Sequence, residues 1–310
     1  MQILQGFDAI NPNRPSVFTM GTFDGVHRGH QAVIKKLVED AQALKARSVI
    51  LTFDPHPQAV VNPEKAKSIH ILTTIHEKQD IFAKLGVDAL LIVKFDRSLM
   101  EKTGQEFVDQ FLIQRAGMKK LLLGYDHAFG KNRSGTFESL QPMAVEMNFI
   151  IEKLPAFDFD RIVVNSTMIR NMLKDGDVST ANDLLGRRYI VEGTVQYGAG
   201  RGRTIGFPTA NIQPTHMQKL IPMPGVYACR VNVDGSSFPA VTNIGQRPTF
   251  DTSLQTVIEA HILDFDRDLY DRSVGLEFIY RIRDERKFSS REELIWQIRQ
   301  DIRHAREQGF

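Results

Sequence analysis

Cysteine is all but missing from this chain: among 310 residues there is one, Cys229. A single thiol excludes an internal disulfide and is too few for a structural zinc site, so a reducing compartment is expected. An excess of charge of one sign is missing too. Lys and Arg number 39 against 37 Asp and Glu, a net charge of +2. That balance makes no case for a nucleic-acid or membrane surface, and local charge alone can handle an anionic nucleotide. No apolar run approaches the ~20 residues that span a bilayer. The N-terminus lacks a basic stretch followed by an apolar core, so no secretory signal is expected and the chain reads as cytoplasmic. Internal repeats and low-complexity tracts are absent as well. What is present is globular: 42% of residues are hydrophobic and 25% charged. The length favours two domains over one core.

In the first part, strand and helix patterns alternate. Residues 17–20, 48–53, 89–93, 121–123 and 149–152 read as strands, and 31–44, 75–85 and 105–115 as helices. Such alternation predicts a parallel sheet with helices on both faces, whose ligands bind at the carboxyl ends of the strands. Three loops follow predicted strands and should meet at one edge: the Gly21 loop, residues 52–57 and residues 124–130. The pattern changes near Gly186. Short β-rich runs at 189–195, 225–233, 240–244, 257–263 and 274–279 predict a small antiparallel barrel, closed by an amphipathic helix over 290–307. Residues 175–188 read as a short helical connector. The domains expected are therefore 1–185 and 186–310.

The stretch Gly21-Thr22-Phe23-Asp24-Gly25-Val26-His27-Arg28-Gly29-His30 sits where a strand turns into a helix. Glycines let backbone approach a ligand, and the N–H groups and dipole of a helix start favour phosphate. Two imidazoles one helical turn apart can address the same anion. Zinc is the other reading of such a pair, but no Cys or nearby carboxylate completes a ligand set.

His27-Arg28-Gly29-His30 resembles the His-x-Gly-His signature of the nucleotidyltransferase superfamily. Asn165-Ser166-Thr167-Met168-Ile169-Arg170 resembles its second signature, with Asn165 where the family usually has Ser. An ordinary helix N-cap is the other reading of that segment. Gly124-Tyr125-Asp126-His127-Ala128-Phe129-Gly130 and its continuation to Gly135 resemble the flavin adenylyltransferase loop, with His127 where that loop usually has Phe. Thr52-Phe53-Asp54-Pro55-His56-Pro57 is similar to the same family. By this resemblance Gly21, Phe23, Asp24, His27, Gly29, His30, Asp126, Ser166, Thr167 and Arg170 would bind ATP. Pro55, Pro57, Phe129 and Arg133 would lie on the flavin side. His27 and His30 would stabilise charge on the phosphate being transferred.

A second glycine-rich run, from Gly198 through Gly200, Gly202 and Gly206 to Phe207-Pro208-Thr209-Ala210-Asn211, resembles the riboflavin kinase signature. It is not a Walker sequence. The resemblance gives Gly202, Gly206, Pro208, Thr209 and Asn211 to ATP, and Thr209 and Asn211 to Mg²⁺. Thr242-Asn243-Ile244-Gly245-Gln246-Arg247-Pro248-Thr249-Phe250 and Ile258-Glu259-Ala260-His261 continue the pattern, as does Asp268-Leu269-Tyr270. Glu259 in an alternating strand is by default solvent-facing; the resemblance makes it the base for an alcohol. The basic run 281–287 reads either as a solvated strand end or as a neighbour of flavin or phosphate.

The resemblance extends from Val17 to about Ile302 and points to the bifunctional riboflavin kinase/FMN adenylyltransferase family. It implies a Rossmann-like α/β domain joined to a six-stranded kinase barrel with a terminal helix. The implied substrates are riboflavin, FMN and ATP, with FAD as product. Two other readings stand beside it: an enzyme with one working site, and a flavin-sensing or nucleic-acid-binding regulator that keeps the same scaffold. The near-neutral charge and the lack of an added DNA-binding motif count against the regulator.

Overall fold

Six strands build the first sheet: β1 (Gln2–Gln5), β2 (Ser16–Met20), β3 (Arg47–Asp54), β4 (Ala89–Lys94), β5 (Met118–Leu123) and β6 (Ile150–Lys153). They lie in the order β1-β4-β3-β2-β5-β6, with every neighbouring pair parallel. This computed structural model describes residues 1–62, 64, 69–159, 162–198, 200–248 and 254–309, with the backbone alone for 201, 247, 248, 254, 255 and 309. Ala199, Thr249 and Phe250 of the kinase-like motifs lie outside the described residues.

The central strands read as continuous apolar runs because both faces of a parallel sheet are covered. Val17, Ile50, Leu90, Ile92 and Leu122 pack on one face against Ile34 and Leu37 of α1 (Arg28–Ala43). Phe82 of α3 (Ile75–Lys84) joins them; the short α2 (Pro57–Val61) precedes it. The alternate residues Phe18, Met20, Val49, Leu51, Leu91, Leu121 and Leu123 face the other way. Beyond α4 (Arg97–Met100), that layer holds α5 (Gly104–Phe107) and α6 (Phe137–Glu146). The helix expected over 105–115 differs in kind: after α5 the chain widens to a π-helical turn, Val108–Ile113. The Phe107 and Phe111 rings stack there at 5.5 Å, with Phe7 5.0 Å from Phe111.

By packing, the chain divides into two compact units, Met1–Asn165 and Ser166–Phe310. The ribbon β7 (Asp158–Phe159) and β8 (Ile162–Val163) closes the first. The second opens with α7 (Ser166–Lys174) and α8 (Val178–Leu185). It continues with β9 (Tyr189–Gln196), α9 (Arg201–Thr204), β10 (Ala210–Pro214), β11 (Gly225–Val233), β12 (Ser236–Pro248), β13 (Leu254–Ile262), β14 (Ser273–Arg283) and α10 (Arg291–Gly309). Its strands form a closed antiparallel barrel, β10-β13-β12-β11-β14-β9. Side chains alternate inward and outward, as along β9, where Tyr189, Val191 and Val195 are buried.

The packing division falls before the boundary expected at Gly186, because α8 is tied to the barrel. The Asn182 amide donates to the carbonyls of Phe278 and Ile279 at 2.9 and 3.2 Å and accepts from Tyr189 N–H at 2.7 Å. Two arginines of the basic run 281–287 hold the terminal helix. Arg283 makes a bidentate pair with the buried Asp301 at 2.8–3.1 Å, and Arg286 reaches Gln297 at 2.7 Å. A planar guanidinium matches a carboxylate in this way, and losing one partner of a buried pair costs roughly 3–5 kcal/mol.

Cys229 on β11 is fully buried, and burial pushes its thiol up to about 12. It should therefore stay unmodified when the folded chain is treated with iodoacetamide at pH 8. Mass spectrometry should find one adduct only after unfolding; rapid labelling of the folded chain would contradict the barrel packing.

Candidate functional site

The loop after β2 is tied to the segment just before residue 75. Asp24 is buried, and its Oδ1 accepts from the Leu72 and Thr73 N–H groups at 2.8 and 3.0 Å. Thr73 Oγ1 in turn accepts from Gly25 N–H at 2.9 Å. Hydrogen bonds to a charged group contribute roughly 1.5–3 kcal/mol each, which suits a loop that carries strain. Phe23 and Val26 are both left-handed, with φ 45° and 40°. Lys78 of α3 is buried nearby; burial pushes its ammonium down, while Asp24, Asp54 and Glu77 pull it back up.

At the start of α1 the two imidazoles stack, with ring centroids 3.7 Å apart. His27 caps the helix: its Nδ1 accepts the His30 N–H at 3.4 Å. With Nδ1 accepting, the ring proton of neutral His27 sits on Nε2. Phe23 lies edge-on to His30 at 5.1 Å and to Phe82 at 5.8 Å. Gly29 is on the first turn, where a Cβ would meet His27 Cε1 at 3.2 Å. Arg28 stacks over the Phe159 ring at 4.6 Å.

The loops after β3 and β5 open on the same edge of the sheet. Pro55 follows β3 and Pro57 begins α2, capped by His56. After β5, Phe129 and Gly135 exchange backbone hydrogen bonds of 3.2 and 2.8 Å. Gly104, Gly130 and Gly135 lie backbone on backbone there; a Cβ on Gly104 would stand 2.1 Å from Gly135 Cα. Phe129 rests on Phe107 at 5.9 Å, and Arg133 donates to the Asp126 carbonyl at 3.2 Å. The Asp126 side chain is exposed. Ser166, Thr167 and Arg170 lie on the first turns of α7, in the second unit.

In the barrel, three strands set polar side chains on one rung. Asn211 of β10 is the register partner of Glu259 on β13, and Glu259 is the partner of Asn243 on β12. Directly opposite residues on one face bring their side chains together. Their neighbours Ile212, Ile258, Ala260, Thr242 and Ile244 are buried, so this rung faces outward. The glycine-rich loop lies against it. A Cβ on Gly198 would stand 2.0 Å from Asn211 Nδ2, so any larger residue there must displace the Asn211 amide; Thr209 Oγ1 is 3.3 Å from a Cβ placed on Gly202. His261, two residues along β13 from Glu259, takes up the Pro208 carbonyl at 2.8 Å through Nδ1. Arg291 of α10 donates to the Thr204 carbonyl. The Thr209 hydroxyl and Asn211 amide are hard oxygen donors held against this loop, a set that fits Mg²⁺.

Sequence reasoning assigned no role to Lys78, Asn243 or His261. The period of two along β13 was a signal for His261, since it shares the face of Glu259. Nothing local marked Lys78, which reads as one more helix lysine.

Residues 9–168 match the family model for FAD synthetase, and residues 185–308 the one for riboflavin kinase. A bifunctional riboflavin kinase/FMN adenylyltransferase of Pseudomonas fluorescens is 38% identical over 307 residues, 99% of this chain and 97% of the relative. The enzyme of that name from Bacillus subtilis is 36% identical over 295 residues, 94% of this chain and 91% of the relative. In architecture the chain is similar to a crystal structure described as a macrolide-efflux protein from Streptococcus pneumoniae, with a TM-score of 0.92, 28% identity and 100% of both chains covered. Efflux is said there of that protein; among the described residues here no helix is long and apolar enough to cross a membrane.

The Gly198 contact yields a test. Gly198→Ala should push the Asn211 amide from its place and lower riboflavin phosphorylation on the order of 10²-fold. FMN adenylylation by the same preparation should stay at the parent rate. Unchanged phosphorylation would mean that Asn211 can be moved without cost.

Proposed function

The chain belongs to the bifunctional riboflavin kinase/FMN adenylyltransferase family, and on that premise we propose which residues carry each of its two reactions. The enzyme phosphorylates riboflavin with ATP to give FMN, then adenylylates FMN with a second ATP to give FAD and pyrophosphate. The observation that supports the assignment is that the histidine pair and the polar rung of the barrel fall in separately packed units. The stacked histidines are in the first, and the rung of Asn211, Glu259 and Asn243 is in the second. By motif, residues 1–185 serve adenylyl transfer and 186–310 phosphorylation. Helices α7 and α8 then belong with the first activity although they pack with the second unit.

In the barrel the nucleophile is the primary hydroxyl of riboflavin, a poor one until its proton is removed. Glu259 accepts that proton as the oxygen attacks the γ-phosphorus of ATP and ADP leaves. Gly202, Gly206 and Pro208 bring backbone to the nucleotide. Thr209 and Asn211 would hold Mg²⁺, which when bound offsets the charge of the ATP phosphates.

Adenylyl transfer needs no base, because the FMN phosphate is already an anion. Its oxygen attacks the α-phosphorus of ATP and pyrophosphate departs. His27 and His30 stabilise the charge gathered there, and the N–H groups of the first turn of α1, Gly29 among them, add to it. Gly21 and Phe23 shape the loop. Asp24 acts by fastening it to Leu72 and Thr73. On the sequence motif, Asp126, Ser166, Thr167 and Arg170 serve ATP, and Pro55, Pro57, Phe129 and Arg133 the flavin. The working location is the cytoplasm, where riboflavin and ATP are at hand.

Paired substitutions separate the reactions. Glu259→Gln should lower FMN formation by roughly 10²–10⁴ and leave adenylylation of supplied FMN intact. His30→Ala should lower FAD formation by roughly 10²–10³ and leave phosphorylation intact. Chromatography of riboflavin, FMN and FAD reads both; equal loss of both activities in either folded variant would sink the assignment.

A further inference from the structure

The parallel sheet reverses its direction of growth between β2 and β5. From β2 the chain steps through β3 to β4 on one side, then returns to place β5 and β6 on the other. In open parallel sheets the crevice above such a reversal is where ligands bind. His127 stands at that crevice. It follows β5, and its Cε1 lies 3.8 Å from where a Cβ would stand on Gly21, the first residue after β2. Its backbone N–H is satisfied by the Gly124 carbonyl at 3.1 Å, and its ring lies 5.8 Å from Phe129. The neighbouring atom of the ring, Nε2, is buried and has no hydrogen-bond partner among the described residues.

A buried polar atom without a partner is destabilising, and native proteins rarely keep one unless something else meets it. A Phe at this place would fill the space with no such cost. We propose that His127 is a further substrate-contacting residue of the adenylyl-transfer site, its Nε2 hydrogen-bonding an uncharged polar group of the bound substrate. That group is a hydroxyl or the edge of a heteroaromatic ring, and not a phosphate oxygen. The inference rests on placing adenylyl transfer in the first unit.

The charge state supports an uncharged partner. Burial pushes the imidazole down to about 4; Asp126 pulls it back up, and Arg133 pushes it further down. At neutral pH the ring is therefore uncharged, and Nε2 offers either a donor or an acceptor according to the tautomer. Phosphate oxygens are better met by cations and helix N–H groups, which the start of α1 supplies. Hydroxyls and ring edges occur both on the nucleoside of ATP and on the ribityl and isoalloxazine parts of FMN.

The test uses the full chain with His127→Phe and His127→Gln. His127→Phe should raise the KM of one substrate about tenfold, leave kcat within about twofold and leave riboflavin phosphorylation unchanged. His127→Gln, which keeps a polar nitrogen at similar reach, should recover most of the loss. A rise confined to ATP places the contact on the nucleoside; one confined to FMN places it on the flavin side. In the reverse reaction the KM for pyrophosphate should not move. Unchanged KM values for both substrates, or a shift in the pyrophosphate KM, would overturn the proposal. Should His127→Phe fail to fold, nitrogen NMR of the parent decides: the Nε2 resonance should move when FMN or a non-hydrolysable ATP analogue is added singly, and a static resonance overturns it. A parent chain that makes FMN but no FAD would remove the underlying assignment instead.

Discussion

Strands β2 and β5 are parallel neighbours whose following helices leave toward opposite faces of the sheet. Helix α1 packs with Val17, Ile50 and Leu90, and α6 with Phe18, Leu51 and Leu121. The two chain segments must diverge as they leave the edge, and a crevice opens between them. All else in the first unit serves that opening. Asp24 ties down one lip through Leu72 and Thr73; the contact of Gly104 with Gly135 ties down the other. The strain at Phe23 and Val26 is held by these ties, in the loop that leads to the histidines.

The barrel solves a different problem. An alcohol needs a base and a phosphate does not, and the two units differ in that respect. Closure of β9 on β10 fixes the register that sets Asn211, Glu259 and Asn243 on one rung. Around it, the Gly198 loop is kept close by Asn211, His261 holds Pro208, and Arg291 reaches Thr204 from the terminal helix. That helix is in turn fastened by Arg283 to Asp301, so the basic run of the last strand acts in packing.

Much of this was legible in the residues. Buried stretches such as residues 49–51 of β3 and 121–123 of β5 announce themselves as short apolar runs, and β9 by its alternation. Strand β10 was hidden because its few apolar residues sit inside a glycine and proline motif, and α6 because Pro142 breaks its pattern. The π-helical turn of Val108–Ile113 has the same apolar spacing as a short helix and differs only in its hydrogen bonding. At the sites, spacing and resemblance supplied the residue types, but long-range register supplied their arrangement. Asp24 meets partners 48 and 49 residues away, and the meeting of Asn211 with Glu259 depends on strand pairing. His127 was visible as a departure from a loop pattern; its unpartnered nitrogen was visible only in three dimensions.

The central claim is that two separate sites, one for each reaction, share the work through FMN. Mixing the two full-length variants Glu259→Gln and His30→Ala tests it most directly. Given riboflavin, ATP and Mg²⁺, each alone should make little FAD. Together they should make it after a lag during which FMN accumulates, because each supplies the step that the other lacks. A mixture that makes no more FAD than the two variants assayed apart would contradict the account.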